Sequence, residues 1–136
     1  MIMKIGFRLA VNTLLAISTL ALLMQILVLV EALPYDMVWG GRLESHSQMR
    51  IFVGISIVVN ALILFVIAMK GAYLQMRIPE KAVNGILWCL VLLFSLNTLG
   101  NAVSLSTFEA IVFTPLTLIS ALFCYRMAVE PSQATD

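Results

Sequence analysis

Residues 86–105 read ILWCLVLLFSLNTLGNAVSL. The first half, to Phe94, is a continuous apolar run. The second half carries Asn97, Asn101 and Ser104, and with Gly100 these fall on one helical face by their i, i+3, i+4, i+7 spacing. A segment this long and this apolar spans a bilayer, which needs about 20 residues. Two carboxamides one turn apart inside hydrocarbon need a partner, so this stretch fixes both the class of protein and what its helix must face.

Working outward, the rest of the chain has the same character. It is 62% hydrophobic and only 11% charged over 136 residues, and its mean hydropathy is +1.05. Soluble domains carry about 25% charged residues, so a water-facing surface cannot be built from this composition. The net charge of +1 gives no reason to expect nucleic acid. Cys89 and Cys124 both lie in apolar runs and read as small packing residues, with no CxxC or Cys/His cluster. No cofactor and no metal are expected, since His46 and Glu44 alone are too few ligands.

Four spans are predicted: 9–30, 51–69, 82–105 and 109–127. The first holds 13 Leu, Ile or Val residues, which favour insertion by roughly 6 kcal/mol at about 0.5 kcal/mol each. That outweighs Asn12, Thr13, Ser18, Thr19 and Gln25. Its length exceeds that of a signal-peptide core, and it reads as a retained helix. The first loop, 31–49, contains Pro34, Gly40 and Gly41 as breakers and Tyr35 and Trp39 as interfacial rings. Pro79 and Glu80 mark the start of the third span. Ser106 and Glu109 fit a capping box before the fourth, and Pro115 sits early enough there to be tolerated. Ala110, Thr114, Thr117, Ala121, Cys124 and Ala128 form a seam of small residues that would admit a neighbouring helix. The expected fold is therefore all-α: a single four-helix transmembrane bundle, up-down-up-down.

Orientation follows from Lys and Arg. Lys4, Arg8, Lys70, Arg77, Lys81 and Arg126 fall on one side, and only Arg42 and Arg50 on the other. Six against two puts both termini in the cytoplasm and argues against a dual-topology dimer. Asn97, Asn101, Gln25, Glu31 and Glu109 then belong to the outer half. The cytoplasmic half reads as almost purely apolar.

The candidate site residues each have two readings. Asn97 and Asn101 line a polar pocket, or they form interhelical hydrogen bonds, with Asn60 as a partner across the bundle. Trp39 to Arg42 binds an anion or a lipid headgroup, or it is a turn anchored by Trp39 with Arg42 paired to Glu44 or Glu31. Glu109 is an ionisable transport residue, or it completes the capping box.

Trp39-Gly40-Gly41-Arg42-Leu43 after the first span, together with Asn97-Thr98-Leu99-Gly100-Asn101 in the third, resembles a family of small bacterial four-span membrane proteins without an established activity. Pro79-Glu80-Lys81 and Thr114-Pro115-Leu116-Thr117 fit it too. The resemblance implies a multi-pass protein of the bacterial inner membrane and nothing about mechanism. Small multidrug exporters differ in having an acid well inside the first span, and disulfide-generating membrane enzymes in having cysteine pairs. The functional expectation is an outward-facing polar pocket, formed by Arg42, Asn97, Asn101, Trp39, Glu109 and Asn60, that binds or transports a small anionic or polar ligand or a lipid headgroup. The alternative is an accessory subunit, docking on a larger membrane complex through its fourth helix, or an assembly of several copies. An enzyme is the weakest reading, because no catalytic set is present.

Overall fold

The computed structural model describes residues 4–75 and 77–130. It contains four long helices: α1 (Phe7–Leu29), α2 (His46–Lys70), α3 (Glu80–Ala102) and α4 (Thr114–Ala128), the last preceded by a π-helical segment, Glu109–Phe113. Each is long and apolar enough to cross a membrane once Glu109–Ala128 is counted as one span. A 23-residue helix is about 35 Å long, enough for a hydrocarbon core of about 30 Å. The outside of the bundle is apolar, as lipid requires: Leu20, Leu62, Leu92, Leu96 and Ile111 are all well exposed.

Local sequence explains the helix ends, including those that differ from expectation. α2 begins five residues before the predicted span because Ser45 caps it. The Ser45 hydroxyl accepts from Gln48 N–H at 3.2 Å, and Gln48 Oε1 accepts from Glu44 N–H at 2.8 Å. This resembles a capping box, with the Gln48 side chain reaching back one residue further, to the N–H before the cap. α3 starts at Glu80, with Pro79 as its extended N-cap residue. α1 and α2 end alike. Ala32 N–H reaches Leu27 O and Glu31 N–H reaches Val28 O; Tyr73 N–H reaches Ala68 O and Ala72 N–H reaches Met69 O. Both are Schellman closures, with Glu31 (φ 64°) and Ala72 (φ 66°) in the left-handed position that usually falls to glycine. The π segment lies immediately before Pro115. Proline has no N–H for the Ile111 carbonyl and its ring crowds that carbonyl, so the wider turn relieves the conflict.

The helices pack in the order α2–α1–α4–α3. α3 lies along α4, α1 lies between α2 and α4, and α2 barely touches α3. Two apolar clusters hold this arrangement. The larger joins all four helices at the end carrying the termini, through residues such as Leu14, Ile67, Leu87 and Met127. The smaller, at the opposite end, joins α1, the first loop and α2 alone: Val28, Val38, Leu43, Met49 and Val53.

The terminal end is tied by charge as well. Lys70 has no solvent exposure and donates to Asn84 Oδ1 at 2.6 Å and to the Glu130 carbonyl, with Glu80 3.9 Å away. Arg126 Nε donates to Ile5 O, and its Nη1 pairs with Glu130 at 2.8 Å. Arg8 donates to Gly71 O at 2.6 Å. All six Lys and Arg residues of the richer set belong to this end, which the charge bias assigns to the cytoplasm. The expectation of an almost purely apolar cytoplasmic half is therefore corrected. Lys70 turns inward and finds Asn84 one helix away.

Candidate functional site

The outward half of the bundle is built differently from the cytoplasmic half. Residues 19–27 of α1, 54–59 of α2, 91–105 of α3 and its exit, and 110–119 leading into α4 include no buried residue. The side chains of this band are partly or well exposed, whereas the cytoplasmic cluster is closed.

The inner wall of the band is polar. The inward stripe of α1 runs Phe7, Val11, Leu14, Ser18 and Val28, and Gln25 lies on it at the same three- and four-residue spacing. Gln25 Oε1 and Thr114 Oγ1 are buried atoms with no hydrogen-bond partner among the described residues. On the opposite wall, Thr98 and Thr117 hydroxyls are 3.0 Å apart, and Asn101 Nδ2 donates to Thr117 Oγ1 at 3.4 Å. The floor is Asn60, 8% exposed, whose Nδ2 donates to Ser18 O at 3.2 Å.

The first loop forms the rim. Gly41 has φ +72°, and a Cβ there would stand 3.0 Å from Ser106 N and 3.1 Å from Leu105 Cβ. Only glycine allows this approach of the loop to the α3–α4 turn. Ser106 Oγ donates to Met37 O at 3.2 Å and accepts from Glu109 N–H at 3.3 Å, while Ser106 N–H donates to Ser104 Oγ. Trp39 also adopts a positive φ, 54°, with its ring 5.0 Å from Phe52. Arg42 is exposed, and among the described residues its side chain makes no hydrogen bond or ion pair. Neither carboxylate expected to hold it, Glu44 or Glu31, does so; Glu31 contacts His46 Nδ1 at 2.9 Å and Arg50 at 4.0 Å. Glu109 is 6% exposed at the top of the fourth span.

The predicted residues thus separate into groups. Asn101 bonds Thr117 on α4 and Asn60 bonds the Ser18 carbonyl on α1. Trp39, Arg42 and Glu109 lie in the first loop and at the start of the fourth span. Asn97 is exposed on the flank of α3, without a hydrogen bond among the described residues. Asn60 bonds to α1 and not to the α3 carboxamides, because α2 packs on α1. The small-residue seam of α4 is occupied within the chain: Ala121, Cys124 and Ala128 are buried, and Thr117 meets α3. These seam positions therefore pack within the chain. Gln25, Thr98 and Thr114 are the lining residues not anticipated. The apolar inward stripe of α3, Val83, Leu87, Leu90 and Phe94, extends by its own spacing to Thr98 and Asn101; following it would have selected Thr98 over Asn97.

No protein-family model, curated protein or solved structure matches this chain.

Proposed function

We propose that this integral membrane protein is a non-enzymatic component of the bacterial inner membrane that binds a ligand bearing a polar or charged head in its outward-facing cleft, and releases or passes it on. The observation that supports this most is the contrast between the two halves. The cytoplasmic half is closed by one cluster drawn from all four helices, while residues 19–27, 54–59, 91–105 and 110–119 include no buried residue yet carry Gln25, Thr98, Asn101, Thr114 and Thr117, below an outer cluster confined to α1, the first loop and α2. In hydrocarbon an unsatisfied polar group costs several kcal/mol. A wall with two buried, unpartnered oxygens is suited to something that hydrogen-bonds in the cleft. Arg42 at the mouth is exposed and unpaired among the described residues, so it is free to take an anionic group in its planar fork. Asn101 and Asn97 supply amide groups below it, and Trp39 holds the rim at headgroup level.

The test is native mass spectrometry of the protein extracted with its lipid. A bound molecule should be retained by the wild type and lost from Arg42→Ala and Asn97→Ala at equal membrane-inserted yield. If both variants fail to accumulate in the membrane, these residues hold the fold and the binding role falls.

A further inference from the structure

We infer that the tip of the α3–α4 hairpin, residues 103–113, is a gate over the outward cleft, hinged at Pro115 and latched to the first loop through Ser106. This rests on the outward-cleft reading and adds how access to that cleft is controlled.

The latch has a fixed side and a movable side. The first loop is the fixed side. Val38 and Leu43 are buried among Val28, Met49 and Val53 of α1 and α2, and no residue of α3 or α4 belongs to that cluster. The tip is fastened at one place. From residue 91 to residue 119, Ser106 and Glu109 are the only buried residues among those described. Ser106 Oγ donates to Met37 O at 3.2 Å, and the Gly41 backbone lies against Leu105 and Ser106. Glu109 N–H donates to the same Ser106 hydroxyl at 3.3 Å. A segment with so few buried contacts opens at low cost.

The tip is also built to swing as a unit. The rings of Phe108 and Phe113 meet edge-on, 5.5 Å between centroids, and Ser106 N–H donates to Ser104 Oγ at 3.0 Å. On one side, α3 ends at Ala102. On the other, the π segment Glu109–Phe113 runs into Pro115, which has no N–H to continue the ladder. Helices bend at such points. Below the hinge the hairpin is pinned. Thr98 and Asn101 meet Thr117, and Leu90 and Cys124 belong to the four-helix cluster. Thr114, at the hinge, has a buried hydroxyl oxygen with no partner among the described residues. The latched form leaves that oxygen unpaired. A swing of the tip gives it water, which offsets part of the hydrogen bond lost at Ser106.

The experiment uses the full chain in lipid nanodiscs, in a Cys89→Ser/Cys124→Ala background, with pairs of nitroxide labels whose separation is measured by pulsed electron resonance. One pair spans the latch, Glu44→Cys with Val103→Cys. The other spans the cytoplasmic end, Leu9→Cys with Gly85→Cys; all four positions are exposed. Ser106→Ala and Gly41→Ala break the latch from its two sides, and only the first also removes the cap on Glu109. With the latch intact, one short distance dominates across it. Either variant should move population to a longer distance, by about fivefold in the ratio for Ser106→Ala, which is what one lost hydrogen bond supplies. The cytoplasmic distance should stay unchanged. An unchanged outer distance in both variants overturns the inference, as does equal lengthening at the cytoplasmic end. Lengthening in Ser106→Ala alone overturns it in favour of the cap. Loss of both variants from the membrane overturns it too, because the contact then holds the fold. A second readout isolates the underlying reading. Modification of Thr117→Cys by a membrane-impermeant thiol reagent should rise about fivefold in Ser106→Ala. If Thr117→Cys reacts at one rate in every background and the outer distance does not change, the cleft stands and only the gate falls. If Thr117→Cys is inert in every background, both fall.

Discussion

Lys70 would be an uncompensated buried cation without its neighbours. Its ammonium ties the end of α2 to Asn84 on α3 and to the Glu130 carbonyl beyond α4. Removing one partner of a buried charged hydrogen bond costs about 1–3 kcal/mol for each group left unsatisfied. Lys70→Ala should accordingly destabilise the bundle by about 3 kcal/mol in a detergent unfolding titration, while Lys81→Ala, at an exposed position, should change it by under about 0.5 kcal/mol. Equal effects would contradict the buried role. Gly41 makes a second residue-scale case. Its positive φ and its 3.0 Å approach to Ser106 N leave no room for a side chain. Gly41→Ala should cost about 2 kcal/mol by the same titration. The sequence marks Gly41 as a breaker, but the close approach that requires glycine depends on a turn 65 residues later in the chain, which no local pattern reveals.

At the scale of elements, the periodic apolar runs and the small set of caps account for nearly all of the helix boundaries. All four spans were legible from length and hydropathy alone, because hydrocarbon permits little else. The start of α2 was hidden in a loop rich in charge, although Ser45 and Gln48 carry the capping signal. The two Schellman closures were not legible either, since Glu31 and Ala72 stand where glycine is usual. That makes a direct prediction. Ala72→Gly relieves a left-handed strain of about 1 kcal/mol without losing a side-chain contact, and should raise the unfolding midpoint; a lower midpoint would show that the closure does not govern the end of α2. Glu31→Gly relieves the same strain but loses the contact with His46, so its gain should be smaller.

For the whole molecule, charge and packing order carry the account. The six cations of the terminal end predict that a cysteine replacing Arg77 is labelled only from the cytoplasm and one replacing Arg42 only from outside; dual labelling at either position would contradict the orientation. The sequence assigns the polar residues to the outer half through the Lys and Arg bias alone. Which of them face inward it does not assign. That depends on α3 lying against α4 and not against α2, where Thr98 and Asn101 meet Thr117. The central claim is that the outward half is an accessible polar cleft above a closed apolar core. The direct measurement is the rate at which a charged, membrane-impermeant thiol reagent, added from outside, modifies Thr117→Cys and Leu87→Cys, each in a Cys89→Ser/Cys124→Ala background. The cleft predicts rapid modification of Thr117→Cys and none of Leu87→Cys. Thr117→Cys as inert as Leu87→Cys would contradict it.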